Sequence, residues 1–374
     1  MEVRPIWELD KNMAIHTPKD ENGIRWYRPW EAPFTLEGFA FFESEHALCR
    51  LPRDICETLE ATGRTEVSEL ATQPAGGRVR FRSTTGHVYV RASLPAPSDF
   101  DHMTPLAQCG FDLYLRRSSD TDWHLAGVTR FDRSKAEYTA TVWQGGDGED
   151  KEFLLHFPLY RAVNEVWIGL DDGAALTAAA PRAHALPLAI YGTSIDQGGC
   201  ATRPGLITGN RLARRLDVNV LNFGFSGNAI YDLPVAEAIS RLPALGGLIV
   251  NAEANNVGER PTTPRLQEFL QIIRRAWPQI PILVLSNPSF SRETFSTEIH
   301  ERHLRVEALE REIVAERIAA GDTHITFVTG SELWRGHSAA ELEEATVDGT
   351  HLNDMGFALQ AESMARYISG WLND

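Results

Sequence analysis

Residues 190–200 read IYGTSIDQGGC: an apolar run stops at Tyr191, and a single hydroxyl, that of Ser194, stands among glycines and small turn-forming residues. Residues 188–191 have the composition of a buried strand, so this stretch marks a strand's carboxyl end followed by a tight turn. The pattern repeats downstream. Residues 204–216 have helical spacing, with Pro204 near the start where a missing N–H costs nothing. Strands at 218–221, 245–250, 282–285 and 325–328 then alternate with helices at 234–242, 264–277, 299–320 and 355–372. Strand and helix alternating five times predict an α/β unit with a parallel five-stranded sheet covered on both faces.

The preceding half has a different rhythm. EGFAFFES, GRVRFRST, HVYVRASL, FDLYLRR, EYTATVW and EVWIGL alternate or cluster β-branched and aromatic residues between Gly, Pro, Asp and Ser turns. Only 54–62 reads as weakly helical, so an antiparallel β-sandwich or jelly roll is expected there. The Ala-rich, Pro-broken stretch 171–187 reads as the boundary. The chain of 374 residues exceeds what one core usually fills. Two domains are therefore expected, an N-terminal β domain at 1–180 and an α/β domain at 186–374.

A formal charge of −15 disfavours polyanionic partners, since phosphate binding needs clustered Lys and Arg; nucleic acid is not expected. The charged N-terminus MEVRPIWELDKNMAIH and the lack of a long apolar run predict a cytoplasmic protein with no membrane segment. Four cysteines give neither a disulfide framework nor paired zinc ligands and read as reduced thiols, with Cys49 to Cys56 the only plausible bridge. His300 and His303 lack the HExxH order and read as a solvated helix face, while SSDTDW and GGDGEDKE read as hairpin tips; no metal and no cofactor are expected.

Ligands of parallel sheets bind beyond the strands' carboxyl ends, so the residues that follow each strand carry the chemistry. These are Gly192-Thr193-Ser194, then NFGFSGN (222–228), NAEANN (251–256) and, before the last helix, DGTHLND (348–354). A serine hydroxyl becomes a useful nucleophile when a base takes its proton and a third group fixes that base. Ser194, His351 and Asp348 can supply the three roles. The developing oxyanion needs N–H donors, for which the backbone of Ser194 and Gly227 and the side-chain amide of Asn255 are the candidates. Asn222, Asn228 and Asn256 are expected to brace these loops, and Arg203 to be structural.

These four blocks resemble those of the SGNH (GDSL-type) hydrolases, in which Ser, Gly, Asn and His follow in this order along a flavodoxin-like sheet. GTS stands where that family usually has G-D-S. YGTSIDQGGCATRPG is similar to GSSITQGGCASRPG of one bacterial branch, whose N-terminal β domain carries a G-x-D-L-Y motif, here Gly110-Phe-Asp-Leu-Tyr114. The resemblance runs from about residue 40 to the end. Two positions depart from it: Asn251, where that branch often has Asp, and Asp196, where it usually has Thr.

The resemblance implies a serine esterase that cleaves short-chain carboxylic esters through an acyl-enzyme on Ser194, with O-acetyl groups on a carbohydrate or related polyol as the expected substrate. The partner is thus a small-molecule or saccharide ester, and self-association is left open. Alternatives are a catalytically inactive carbohydrate-binding relative and an acyltransferase, lipase or thioesterase of the same fold.

Overall fold

A computed structural model describes residues 4, 6–15, 17–18, 22–256, 263–288 and 291–372. The strands in chain order are β1 (Ile24–Tyr27), β2 (Thr35–Glu37), β3 (Arg78–Ser83), β4 (His87–Ser93), β5 (Asp112–Arg117), β6 (His124–Val128), β7 (Glu137–Gln144), β8 (Lys151–His156), β9 (Glu165–Asp171) and β10 (Leu176–Thr177). They are followed by β11 (His184–Gly192), β12 (Val218–Gly224), β13 (Gly247–Asn251), β14 (Ile282–Leu285) and β15 (Ile325–Val328). Contacts group the chain into two units. One holds Met1–Glu37, Gly77–Ala180 and Arg203–Gly205; the other holds Gly38–Gly76, Pro181–Thr202 and Leu206–Asp374.

The first unit has two antiparallel sheets, in the orders β1-β9-β4-β7 and β10-β3-β8-β5-β6, with β2 paired to β3. On β4 the alternation of Val88, Val90 and Ala92 with His87, Tyr89 and Arg91 buries the first set and leaves the second half-exposed, as a strand with one covered face requires. Phe81 and Phe153 stack at 5.0 Å in its core. The GxDLY motif is also part of this unit. Asp112 is fully buried and accepts from His156 Nδ1, Arg203 Nη1 and Gly205 N, each at 2.8 Å, and Tyr114 Oη lies 2.7 Å from Arg203 Nη1. Burial disfavours the charged carboxyl, but the His156 and Arg203 cations outweigh it and hold Asp112 below the usual carboxylate range.

The second unit carries a parallel sheet of order β12-β11-β13-β14-β15, so β11 is flanked on both sides by later strands. That is the flavodoxin-like order, and its switch point falls at β11, the strand that ends at Gly192. Leu188, Ala189, Ile190 and Tyr191 are buried, as befits a central parallel strand. Among the described residues no helix is long and apolar enough to cross a membrane.

Several expectations are corrected. EGFAFFES is not a strand beyond Glu37; it turns into a short helix at Phe42–Glu45. Two further helices, Arg53–Ala61 and Thr65–Ala71, follow, and Leu51, Ile55, Leu59, Val67 and Ala71 enter the same apolar core as Tyr191, Phe223 and Phe225. The reason is amphipathicity: Ile55 and Leu59 lie four apart on one buried face. The stretch read as a linker supplies β10 and the start of β11. The cysteine reading holds: Cys49, Cys56, Cys109 and Cys200 are all free thiols.

Candidate active site

Ser194 opens a single helical turn, Ser194–Gln197, at the end of β11. Thr193 caps it, with its hydroxyl accepting from Ile195 N at 3.3 Å, and the Asp196 carboxylate reaches back to Thr193 N at 3.2 Å. Gly198 N and Gly199 N both donate to Ser194 O, at 2.9 and 2.7 Å, and stop the turn there. Ser194 is thus held by a short, doubly capped turn rather than by a long helix, and is 9% exposed.

His351 comes from the other end of the chain. Asp348 Oδ1 accepts from the backbone N–H groups of Thr350 and His351, at 3.0 and 2.7 Å, folding DGTH into a turn. Asn353 then caps the final helix, Asp354–Ile368, by accepting from Met355 N and Gly356 N. This places the imidazole between two partners. Ser194 Oγ is 2.9 Å from His351 Nε2, and His351 Nδ1 is 2.7 Å from Asp348 Oδ2. Burial acts against the charged Asp348 carboxyl, but the His351 backbone N–H and imidazole prevail and hold it below the ordinary range. With Asp348 ionised, Nδ1 carries the proton and Nε2 is the acceptor facing the hydroxyl.

The structure brings Ser194, His351 and Asp348 into one hydrogen-bonded chain across 157 residues of sequence. Gly227 lies in the turn after β12 with φ +67°, a conformation that a side chain would strain. Asn255 ends a 3-10 turn, Glu253–Asn255, after β13. Its amide is assigned with the oxygen accepting from Asn228 N and Ala229 N, at 3.0 and 2.9 Å. Asn255 is therefore fastened to the turn that contains Gly227, and its NH2 points away from those two donors. The two candidate donors follow the strands on either side of β11.

The other asparagines bond the loop backbones: Asn222 Nδ2 donates to Asp196 O at 2.7 Å, Asn228 Nδ2 to Ser226 O at 2.9 Å and Asn256 Nδ2 to Ala252 O at 2.6 Å. The two positions that depart from the family pattern meet each other. Asn251 Nδ2 lies 3.1 Å from both oxygens of Asp196.

Sequence reasoning missed a set of braces. Arg50 is fully buried and donates to Asn222 O and Gly224 O, at 3.2 and 2.6 Å, and to Leu70 O and Gln73 O, at 2.6 and 2.8 Å. Arg64 donates to Asn228 O and Asp232 Oδ1, at 2.5 and 2.7 Å. Gln197 bridges Gln73 Oε1 and Ser226 N, at 2.6 and 3.0 Å. His303, expected on a solvated face, is 3% exposed and ion-paired to Glu253 at 3.2 Å and Glu293 at 2.9 Å. Burial alone would lower its pKa, but the two carboxylates push it up to about 10. The sequence signal that could have revealed it is the Glu opening EANN, an acid beside an amide-rich turn that needs a cation once buried.

Residues 185–369 match the model of the GDSL-like lipase/acylhydrolase family, and residues 24–176 match that of the N-terminus of SGNH-hydrolase-type esterases. No curated protein matches significantly. Among solved structures, a protein from Bacteroides ovatus described as a GDSL-like lipase is 27% identical, with TM-score 0.79, over 93% of this chain and 98% of its own. A salicylyl-acyltransferase from a tetracycline biosynthetic pathway is 19% identical, with TM-score 0.71, over 93% and 98%. A family two carbohydrate esterase from Clostridium thermocellum, in complex with cellohexaose, is 14% identical, with TM-score 0.56, over 80% and 94%. The last two likenesses concern the fold.

Proposed function

We propose, for a chain that belongs to the SGNH (GDSL-like) hydrolase family and is a carboxylic ester hydrolase, that it removes short acyl groups, acetyl foremost, from a carbohydrate or related polyol through an acyl-enzyme on Ser194. The observation that carries the reading is the continuous chain Ser194 Oγ, His351 Nε2, His351 Nδ1, Asp348 Oδ2, at 2.9 and 2.7 Å.

In this reading His351 Nε2 takes the Ser194 proton as Oγ attacks the ester carbonyl carbon. Asp348 keeps the proton on Nδ1 and stabilises the imidazolium. The backbone N–H groups of Ser194 and Gly227 and the Asn255 NH2 receive the oxyanion. The imidazolium then gives its proton to the leaving alkoxide and the C–O bond breaks, leaving acyl-Ser194 and free alcohol. Water, deprotonated by His351, attacks the acyl carbon; the carboxylic acid leaves and Ser194 is regenerated. The preference for a sugar ester is supported by the carbohydrate esterase among the structural neighbours and by the polar, Asn- and Gly-rich blocks around Ser194.

The test is Ser194→Ala, which should remain folded and lose hydrolysis of p-nitrophenyl acetate together with labelling by a fluorophosphonate. Turnover undiminished by that substitution would reject the mechanism. A second reading, transfer of the acyl group to an alcohol rather than to water, is favoured by the acyltransferase among the neighbours. Product analysis with sugar acceptors present separates the two.

A further inference from the structure

Asp196 is a carboxylate in an unusual place. It is 2% exposed, two residues from the nucleophile, and the residues packed on it include Gly192 at the end of β11, Thr193 of the same turn, Asn222 and Gly224 of β12 and Asn251 of β13. None of these side chains can carry a compensating positive charge. Its two oxygens accept from Asn251 Nδ2 at 3.1 Å each, and Oδ2 also accepts from Thr193 N at 3.2 Å. Its main-chain oxygen accepts from Asn222 Nδ2 at 2.7 Å. A single residue thus ties the serine's turn to the carboxyl-end regions of three adjacent strands, β12, β11 and β13.

The fit is close. A Cβ on Gly192 would fall 1.9 Å from Asp196 Oδ2, so the glycine before Thr193-Ser194 is there to admit the carboxylate. Asn251 pairs in register with Gly192 across the β11–β13 ladder and begins the block that leads, four residues on, to Asn255. The Asp196–Asn251 contact therefore sets the spacing between the serine's turn and the loop that carries an oxyanion donor. Burial pushes the Asp196 carboxyl up to about 7, against the Asn251 and Thr193 N–H groups that favour the anion.

We propose that Asp196 and Asn251 form one positioning unit for the nucleophile: a carboxylate–amide pair whose direction can be reversed, but whose two members cannot both be amides or both be acids without moving Ser194 relative to Asn255. The proposal rests on the reading of Ser194 as the nucleophile. Neither residue touches the reacting atoms; both act through Ser194 and Asn255. Two amides keep one N–H···O bond and set the second amide group against the Thr193 N–H or against its own kind. Two carboxylates in this dry space put like charges in contact or force one to take a proton. Exchanging the two residues restores one carboxylate against one amide, and the amide oxygen then at position 196 can still accept from Thr193 N.

The experiment measures p-nitrophenyl acetate turnover and the rate of fluorophosphonate labelling at Ser194 for Asp196→Asn, Asn251→Asp and the double exchange. Misplacement of about an ångström costs on the order of 10–100-fold in the chemical step. We expect kcat to fall roughly 10-fold in Asp196→Asn and roughly 100-fold in Asn251→Asp, with KM within about 3-fold, and the double variant to return to within about 5-fold of wild type. Labelling rates should follow kcat. A double variant no better than the product of the two single losses overturns the proposal, as do single variants that change KM and leave kcat alone. Should Asn251→Asp fail to fold, Asp196→Ala beside Asp196→Asn decides it: a kcat roughly 10-fold lower in the alanine variant supports the pair, and equal values refute it. Wild-type turnover that survives Ser194→Ala would remove the hydrolase reading, and this proposal with it. Turnover lost in Ser194→Ala but not regained in the double exchange sinks the proposal alone.

Discussion

Replacing Arg50 tests whether the segment Gly38–Gly76 is structural support for the site. The Arg50 guanidinium is buried, lies 4.8 Å from the Phe225 ring centroid and donates to four backbone carbonyls, those of Leu70, Gln73, Asn222 and Gly224. Two of those carbonyls belong to the end of β12, three to five residues before Gly227. Arg50→Met keeps most of the volume and removes every donor. Each buried carbonyl left without a partner costs about 1–3 kcal/mol. Leu70 O and Gln73 O keep backbone donors, Gln73 N at 3.1 Å and Ala75 N at 2.9 Å, so the loss falls on Asn222 O and Gly224 O. A middle value for these two, offset in part by the desolvation cost no longer incurred for the cation, gives a loss of about 2–3 kcal/mol. For a unit of this size that is a Tm lower by roughly 4–12 °C. Thermal unfolding followed by circular dichroism reads the shift. Turnover at a temperature where the variant is folded should also fall, because the Gly227 turn loses its anchor. A Tm within about 2 °C of wild type would refute the reasoning, since two buried carbonyls deprived of the guanidinium cannot be that cheap.

Asp348→Asn should leave the fold intact and lower kcat roughly 10²–10⁴-fold by allowing the wrong imidazole tautomer, read by steady-state kinetics on an acetyl ester. Asp196→Asn should change how stability depends on pH. The folded carboxyl titrates near 7 against an ordinary value of 3.8, so the wild type's advantage is full below about pH 4 and is lost as pH rises through 7. The variant should therefore gain up to roughly 4 kcal/mol on the wild type between pH 4 and pH 8, and a difference in Tm that is flat across that range would contradict the assignment. Residues 181–374 produced alone should aggregate, because the core then lacks Leu51, Ile55, Leu59 and Val67, each worth about 1.5–3 kcal/mol of burial; a soluble, monodisperse product by size exclusion would count against it. His303→Leu should destabilise by about 3–5 kcal/mol by leaving Glu253 and Glu293 buried without their cation, measurable as a lower denaturation midpoint.

The parallel sheet was legible because its signals are local. Each strand is a short apolar run, each turn after it is rich in Gly, Asn or Ser, and the alternation with helices leaves few topologies open. The three side chains that meet at Ser194 were legible for a similar reason: every one sits at a strand's end or in a capped turn, where backbone conformation is written in two or three neighbouring residues, as in DGTH. What escaped is non-local. Arg50 bonds carbonyls 172 and 174 residues away, Gln73 a side chain 124 residues away and Arg64 a carbonyl 164 residues away, and no periodicity records such pairings. His303 was misplaced because a charged helix reads as solvated unless the acids that bury with it are known. Glu253 and Glu293 come from two other elements. The helices at 42–71 were underestimated because they are short and take their stability from the core they cover, not from propensity.

Two carboxylates close to the serine's turn, Asp348 and Asp196, show why only one of them suits the base. Asp348 is partly exposed and receives N–H bonds from Thr350, from His351 and from the imidazole itself, so it stays ionised well below neutral pH. Asp196 is dry and has only amide donors, and its carboxyl is raised to about 7. A group that must stabilise an imidazolium each time a proton moves has to stay charged throughout the cycle; the N–H donors on Asp348 favour that, whereas burial without a cation works against it at Asp196. Conversely, a group that fastens a turn among three strand ends needs neither charge nor water, only fixed donors and acceptors at hydrogen-bond distance. The same residue type thus serves two ends around one serine, and solvent access decides which position takes which part.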